Sequence, residues 1–304
     1  MSANTPLVSV CTLAYNHKPY IRECLDGILM QKTNFAFELL IHDDASTDGT
    51  ADIIREYEAK YPDIIKPIYQ TENQYSKGVK VSLTYQYPRA KGKYIAMCEG
   101  DDYWTDPLKL QKQVDFMEAN EEYSLCFHAC NIKFEDGITP RKLYREWEER
   151  DYSCYEILKE WTIPTASIVF KKLFIDKKYK KIALDKNFIY GDIVLFLHLA
   201  SNGKVRCFKE CYSVYRRNDG GVTERYAKQN EEKLISHYIA ISKYFKESRP
   251  YVNPIISNHF LNIGVTSLFK EKRIKGIRNL LTSIKYDITP IFDMVNRNTK
   301  RLFK

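Results

Sequence analysis

The chain has 304 residues, of which 44% are hydrophobic and 28% charged, a composition typical of a soluble globular protein with a sizeable core. No apolar run approaches the roughly 18–20 residues that a membrane-spanning helix needs, and the apolar run 7–13 is too short for a signal sequence. We therefore expect a cytoplasmic protein. Of the formal net charge of +8, residues 270–304 carry +7, which argues against nucleic-acid binding by the rest of the chain.

The first 132 residues alternate between two kinds of hydrophobic pattern. Short β-rich runs predict strands over 7–13, 37–42, 64–69, 94–98 and 124–132. Apolar residues at helical spacing predict helices over 20–31, 51–61, 79–90 and 107–120. Strands that alternate with helices predict an α/β fold with a mostly parallel sheet and helices on both faces.

The pattern loosens beyond residue 135. We predict strands over 167–170 and 204–216, and a helix over 192–201 that is closed by Gly203. From residue 228 the chain is predicted to be helical almost to its end, with breaks at Pro254 and Pro290. The sequence therefore divides into a main region 1–225, with parts 1–130 and 131–225, and a basic helical region 226–304.

The eight cysteines are scattered, and in a cytoplasmic protein we expect them to be reduced. The pairs Cys126/Cys130 and Cys207/Cys211 raise the question of a zinc site. Their spacing is not that of common zinc-binding motifs, and both pairs fall in predicted strands, so we do not expect structural zinc.

Three polar clusters directly follow predicted strands. They are Tyr15-Asn16, the segment 43–48 that begins with Asp43-Asp44, and the segment 99–102. In open α/β sheets, ligands bind outside the carboxyl ends of the strands. We therefore expect the three clusters to meet at one edge of the sheet and to form a binding site there.

The segment 99–102 places Glu99, Asp101 and Asp102 within four residues. Neighbouring carboxylates repel each other unless a cation or hydrogen-bond donors neutralise them. Mg²⁺ or Mn²⁺ held by one or two carboxylates and by substrate phosphates is a suitable partner. The alternative is an acidic loop that caps the helix starting near Pro107 and needs no metal.

The pair Asp43-Asp44 has two interpretations. A carboxylate here can accept hydrogen bonds from a nucleobase N–H or a ribose hydroxyl, with Tyr15 stacking on the base. Alternatively, the pair only shapes the turn 46–50. The sequence does not choose between the two aspartates. It contains neither G-x-G-x-x-G after the first strand nor G-x-x-x-x-G-K-[ST], which removes the main support for dinucleotide or P-loop nucleotide binding.

Together, VSVCTLAYN at 8–16, DDASTDGT at 43–50 and KGKYIAMCEGDD at 91–102 resemble a family 2 inverting glycosyltransferase with the GT-A fold. The resemblance extends roughly over residues 6–220. It implies a nucleotide-diphosphate sugar donor, with Tyr15, Asn16 and the Asp43-Asp44 pair at the nucleoside. It also implies that Asp101 and Asp102 correspond to the D-x-D-type element that binds ribose and metal, and that Lys77 lies where the family often places a donor-loop contact.

The chain departs from the family pattern in places. Glu99 stands where many members have Asp. The family's base motif is usually Glu-Asp, whereas Gly191-Asp192 precedes the predicted helix here, so Asp192 matches the base position. No Gln-x-x-Arg-Trp follows, which argues against a processive synthase.

Inverting transfer needs one carboxylate to take the proton of the acceptor and a metal to stabilise the leaving diphosphate. Asp192 is the predicted base, although an aspartate at the start of a helix can also serve only as an N-cap. Arg216 follows a predicted strand and either faces the diphosphate or is an ordinary solvated basic residue.

We expect a UDP-sugar donor and a glycan or lipid-linked acceptor, as in cell-surface polysaccharide or glycan biosynthesis. A nucleotidyltransferase and an inactive nucleotide-sugar-binding protein are the alternatives.

The basic segment 270–304 contains Ile277, Leu280, Leu281 and Ile284 at helical spacing, so one face is apolar. We favour a helix that packs this face on the catalytic domain. The other interpretation is that the segment rests on an anionic membrane surface, with a final short helix after Pro290.

Overall fold

The computed structural model describes residues 5–160, 163–217, 231–269 and 272–290. In that part of the chain the strands are β1 (Val8–Ala14), β2 (Phe37–Asp43), β3 (Ile68–Tyr69), β4 (Tyr94–Met97), β5 (Tyr103–Trp104), β6 (Tyr123–Phe134), β7 (Lys142–Leu143), β8 (Val169–Lys171) and β9 (Lys204–Arg217). The helices are α1 (Ile21–Leu29), α2 (Thr50–Lys60), α3 (Lys109–Ala119), α4 (Cys154–Glu160), α5 (Lys177–Ala183), α6 (Gly191–Ala200), α7 (Glu231–Tyr244), α8 (Arg249–Phe269) and α9 (Arg273–Tyr286).

One mixed sheet holds these strands in the order β3-β2-β1-β4-β8-β6-β9-β5, with β7 paired to β6. The neighbouring strands β3, β2, β1 and β4 all run parallel to one another, and β6 runs parallel to β9. Strand β8 is antiparallel to both β4 and β6 and so joins the two parallel parts. The predicted α/β fold with a largely parallel sheet and flanking helices is confirmed.

Successive residues along the central strands alternate between two hydrophobic cores. In β1, for example, Val8 and Val10 belong to one core, with α1 and α3, whereas Cys11 belongs to the other. This alternation follows from the two-residue period of a strand. Because hydrophobic cores cover both faces of the sheet, polar side chains meet at the ends of the strands.

The helical region shares a core with the sheet. Ile241 and Phe245, at the end of α7, and Val252 and Ile256 of α8 belong to the same buried cluster as Phe196 of α6. The predicted boundary at 225/226 lies outside the described residues. Helices α7 and α8, on its far side, pack against the α/β part and share its core.

Two predicted elements differ in the structure. The predicted helix 79–90 is reduced to a single π-turn, Ser82–Gln86, in which the buried Gln86 amide donates to the carbonyls of Thr12 and Leu40. The predicted strand 64–69 is interrupted, because Ile65 pairs with Leu39 of β2 only in an isolated parallel bridge before the strand resumes as β3. The N–H groups of Ile64 and Ile65 also donate to the Tyr61 carbonyl, which closes a turn there.

The predicted break at Pro254 was wrong, because Pro254 lies inside α8. Pro254 is the sixth residue of that helix, so its ring removes one helical hydrogen bond, to the Pro250 carbonyl, and the helix continues on both sides of it. The chain breaks instead at the short helix Lys246–Ser248. Helix α9 ends at Tyr286, and the predicted helix after Pro290 lies outside the described residues.

Among the described residues, no helix is long and apolar enough to cross a membrane.

Candidate active site

The loops after β1 and β2 are joined by four hydrogen bonds. Backbone N–H groups of Asn16, His17 and Lys18 donate to Ser46 Oγ, Thr50 Oγ1 and Asp48 Oδ2 at 2.8–2.9 Å. In the other direction, the Thr47 N–H donates to Asn16 Oδ1 at 2.9 Å. Asn16 has a φ of 56°, in the left-handed region that asparagine tolerates better than most residues. Asn16 therefore holds the two loops in register, and the neighbouring Tyr15 leaves much of its ring exposed.

Asp43 and Asp44 lie side by side but have different partners. Both oxygens of Asp44 accept backbone N–H groups, from Gln74 at 2.8 Å and Tyr75 at 3.0 Å. Asp43 Oδ2 accepts the Ser46 N–H at 3.1 Å, while Asp43 Oδ1 is buried and has no hydrogen-bond partner among the described residues. A buried carboxylate oxygen without a donor is costly. Of the two aspartates, Asp43 is the one with an oxygen left for a ligand.

Lys77 lies at the end of the short helix Tyr75–Lys77, directly after the segment that Asp44 anchors. Its ammonium group pairs with Glu72 on the surface. The position of Lys77 beside the loop that Asp44 anchors is compatible with the predicted contact to a sugar donor. Its side chain, however, is exposed and pairs with Glu72.

The loop after β4 packs tightly against the loop after β1. The Gly100 N–H donates to the Leu13 carbonyl at 2.8 Å, and a Cβ atom at Gly100 would lie 2.8 Å from His17 Nδ1. This close approach requires glycine. It also brings His17 Nε2 to 3.9 Å from Asp101 Oδ2. The three polar clusters therefore meet at one edge of the sheet, as their positions after β1, β2 and β4 predicted.

The carboxylates of this loop share a crowded, partly desolvated environment. Burial, and then the charges of Asp101 and Asp192, raise the pKa of Glu99 to about 8. Burial and then the Asp101 charge raise the pKa of Asp102 well above its ordinary value. Like charges disfavour ionisation of their neighbours, and a cation removes that penalty.

The carboxylates of the acidic loop, residues 99–102, have the chemistry that a divalent metal requires. Oxygen ligands from carboxylates match Mg²⁺ or Mn²⁺, and the mutual repulsion of Glu99, Asp101 and Asp102 is of the kind that such an ion relieves. Asp102 is buried, however, and its Oδ1 accepts the Arg216 backbone N–H at 2.8 Å. Within the described ranges, no three His, Cys, Asp or Glu side chains converge as ligands of one ion. The arrangement fits an ion that is completed by substrate phosphates, and not a site made of protein ligands alone.

Arg216, on β9, is turned towards the protein. Its Nε donates to the Asp101 carbonyl at 2.8 Å, and its terminal nitrogens pair with Glu135 at 2.8 Å and with Glu23. The guanidinium also lies between the rings of Tyr20 and Tyr103, 4.9 and 4.8 Å from their centroids. Protein groups occupy the guanidinium nitrogens of Arg216. Arg216 therefore holds the acidic loop in place and does not make the predicted contact with a diphosphate.

Asp192 is the second residue of α6, and Tyr190 is the N-cap residue. The alternative role of Asp192 as an N-cap is thus wrong, although its Oδ1 accepts the N–H of the adjacent Ile193 at 2.8 Å. Burial raises the pKa of Asp192. The charge of Asp192 also contributes to the raised pKa of Glu99 in the acidic loop.

Sequence reasoning missed His17. It follows the Tyr15-Asn16 cluster directly, but only the contact with Gly100 and Asp101 shows that it faces the acidic loop. A histidine directly after a strand-end polar cluster is the signal that was available.

The profile of the family described as "Glycosyl transferase family 2" matches residues 9–181, more than half of the chain. The chain belongs to glycosyl transferase family 2. Within this family it is 30% identical to the putative teichuronic acid biosynthesis glycosyltransferase TuaG of Bacillus subtilis, over 69% of this chain and 79% of TuaG. It is also 30% identical to the UDP-Glc:alpha-D-GlcNAc-diphosphoundecaprenol beta-1,3-glucosyltransferase WfaP of Escherichia coli, over 71% of this chain and 80% of WfaP.

A further relative of the chain is an uncharacterized protein of Mycobacterium tuberculosis, 38% identical over 71% of the chain. The match spans about 60% of the length of that mycobacterial protein. Solved structures confirm the GT-A fold. S. aureus TarS 1–349 in complex with UDP-GlcNAc has a TM-score of 0.57 at 15% identity, covering 91% of this chain and 90% of TarS 1–349. The mannosyltransferase PcManGT of Pyrobaculum calidifontis, in complex with GDP-Man and Mn²⁺, has a TM-score of 0.54 at 15% identity, covering 95% and 88%.

Proposed function

We propose that the protein transfers a sugar from a UDP-sugar to a hydroxyl of a glycan or lipid-linked acceptor, with inversion, in cell-surface polysaccharide or glycan biosynthesis. The observation that carries this proposal is that Asp43 ends β2 and Asp101 follows β4, parallel strands on either side of β1 at one sheet edge of a family 2 fold, with the charge of Asp192 acting on Glu99 of the same loop as Asp101. The relatives TuaG and WfaP support the substrate class, and TarS with UDP-GlcNAc supports the nucleotide.

In this proposal the nucleoside binds between Tyr15 and Asp43. The unpaired Asp43 Oδ1 accepts an N–H of the base or a ribose hydroxyl, and the exposed Tyr15 ring offers a surface for stacking. Asn16 and Asp44 hold the surrounding loops, and Lys77 lies at the rim beside the diphosphate.

We assign the metal, Mn²⁺ or Mg²⁺, to Asp101, with Asp102 and Glu99 in the surrounding charge cluster. When bound, such an ion would neutralise the leaving diphosphate. The complex of PcManGT with GDP-Man and Mn²⁺ supports a divalent cation. Arg216 acts in this proposal as a positioning residue, because it fixes the Asp101 carbonyl and, through its own N–H, the Asp102 carboxylate.

Asp192 is the proposed general base. The acceptor oxygen attacks the anomeric carbon from the face opposite the diphosphate, and Asp192 takes the acceptor proton. Burial raises the pKa of Asp192, which strengthens it as a base. The near-neutral first 269 residues support a glycan or lipid acceptor over a nucleic acid. We place the reaction in the cytoplasm, at the inner face of the membrane.

Calorimetry of UDP-, GDP- and dTDP-sugars with and without Mn²⁺, followed by transfer assays with the donor that binds, tests this function. Asp192→Asn removes the base, so we expect donor affinity within about twofold of the parent protein and turnover lower by roughly 10²–10⁴-fold. Asp185→Asn, which changes a carboxylate that accepts from Asn187 and Tyr244, is the matched control and should keep most of the turnover.

A loss of donor affinity as large as the loss of turnover in Asp192→Asn would contradict the base assignment. Donor binding without transfer to any acceptor would support the alternative of an inactive nucleotide-sugar-binding protein. The family match favours sugar transfer over nucleotidyl transfer.

A further inference from the structure

Helix α9 exposes a row of large apolar side chains. Ile274, Ile277, Leu281 and Ile284 keep 86%, 54%, 63% and 44% of their surface exposed, and they recur every three or four residues. Side chains at this spacing lie on one face of a helix. Three of them, Ile274, Ile277 and Leu281, line one shallow groove. We call these four side chains the outer face of α9.

The opposite face of α9 attaches the helix to α8 through small residues. A Cβ atom at Gly276 would lie 2.6 Å from the Leu268 side chain and 3.0 Å from the Gly264 carbonyl. The Ser257 and Ser283 hydroxyls are 2.8 Å apart and buried. The expectation that Ile277, Leu281 and Ile284 pack on the catalytic domain was wrong, because the glycine and serine face makes that contact. Of the four apolar residues in the predicted face, Leu280 lies against α8 at Gly264.

Basic side chains surround the outer face. From residue 272 to 286 the chain contains Lys272, Arg273, Lys275, Arg278 and Lys285 and no acidic residue. Arg278 and Lys285 line the same groove as the apolar residues. The charge and the apolar area are therefore presented together.

We propose that the outer face of α9 docks the protein on an anionic lipid bilayer. Acyl chains accept the isoleucine and leucine side chains, while lipid phosphates pair with the flanking lysines and arginines. A second copy of the chain is a poorer occupant, because it would bring the same five positive charges against each other. Nucleic acid satisfies the charge but offers no partner for the apolar row. The biological purpose rests on the proposed function, since docking brings the site to a lipid-linked acceptor.

The test uses the full chain and vesicles of phosphatidylcholine alone or mixed with phosphatidylglycerol. In co-sedimentation, we expect the parent protein to bind the mixed vesicles and to be released by high salt. The double variant Ile277→Ser/Leu281→Ser should lose at least about tenfold in partitioning, as should Arg278→Gln/Lys285→Gln at low salt.

Leu173→Ser/Leu184→Ser is the matched control, because these leucines are 65% and 60% exposed at other places on the surface. It should bind the vesicles as the parent does. Thermal unfolding and sedimentation velocity of each variant check the fold and the oligomeric state.

Equal vesicle binding by the parent protein and Ile277→Ser/Leu281→Ser would overturn the proposal. A parent dimer that becomes monomeric in this variant, with no binding to mixed vesicles by either, would assign the face to a second copy and also overturn it. UDP-sugar affinity and transfer to a soluble acceptor should not change in the variant. Vesicle binding without sugar transfer would leave the docking surface standing while contradicting the proposed function.

Discussion

Asp43 and Asp44 show how neighbouring carboxylates can take different tasks. Asp44 closes two backbone hydrogen bonds to the loop 74–75, whereas Asp43 keeps a buried oxygen without a protein donor among the described residues. The sequence could not choose between them, because the deciding partners lie about thirty residues further along the chain. In the same way, the Arg216 N–H donates to Asp102, which lies 114 residues earlier in the chain. Local sequence could not predict this hydrogen bond. The positions of the three clusters after β1, β2 and β4 could be predicted, because strand ends set them.

Substitution separates the two aspartates. Asp43→Asn should weaken UDP binding by roughly ten- to a hundredfold, the equivalent of about 1.5–3 kcal/mol for a hydrogen bond to a charged group, with little change in melting temperature. Asp44→Ala leaves two backbone N–H groups without acceptors and should lower stability by about 1–3 kcal/mol per unsatisfied group. Calorimetry with UDP and thermal unfolding give the two quantities. If Asp44→Ala weakened UDP binding while keeping full stability, the assignment would have to be reversed.

At the scale of elements, hydrophobic period predicted the long strands and helices α1, α2, α3 and α6. It missed the short elements β5, β7, α4 and α5, and it failed where side chains from elsewhere set the backbone. Gln86 is the clearest case, because its buried amide serves two strand carbonyls and holds a π-turn in place of the predicted helix. Helix α7 gives a second case. His237 accepts the Ile189 N–H at 3.3 Å and packs its ring against Tyr190, directly before the start of α6. Helix α7 thereby supports the segment that presents Asp192.

This contact predicts a pH dependence. Burial lowers the pKa of His237 to about 4, against about 6.5 in an unfolded chain. The unfolded state therefore takes up a proton first as pH falls. The contribution of His237 to stability is complete above pH 6.5 and is lost progressively between about pH 6.5 and 4, by about 3 kcal/mol in total. His237→Asn keeps an acceptor but does not titrate. Its unfolding free energy should fall less than that of the parent between pH 7 and 5, and parallel curves would contradict the prediction.

At the scale of the whole molecule, the sheet and the helical region are joined by one core. The sequence predicted two regions from a change in pattern and charge, but it could not show that Phe245 and Ile256 pack in the same cluster as Phe196, since that depends on tertiary packing. By contrast, Tyr286 is the only residue in the described part of α9 that packs against either core, and it lies at the margin of one of them. The basic part of the helical region and its structural part are therefore different segments.

Two truncations test this division. A chain that ends at Arg217 uncovers the apolar surface that α7 and α8 bury, so we expect aggregation or a melting temperature lower by more than about 10 °C. A chain that ends at Phe269 lacks α9 but retains the shared core, and it should melt within a few degrees of the parent and bind UDP equally well. The melting curves and UDP affinities of the two chains are the measurement. A stable, UDP-binding chain ending at Arg217 would show that the region 1–217 folds independently.

The contact between α8 and α9 has a consequence for evolution and for engineering. It depends on close backbone approach at Gly264 and Gly276 and on a pair of serine hydroxyls, and such contacts hold helices together in hydrocarbon as well as in water. The contact between α8 and α9 should therefore persist whether water or lipid surrounds the outer face of α9. The bulky residues of that face can therefore be exchanged to retune affinity for a surface while the glycines and serines keep the hairpin intact. A larger residue at Gly276 would instead meet the Leu268 side chain and the Gly264 carbonyl, so we expect it to weaken the contact between the two helices.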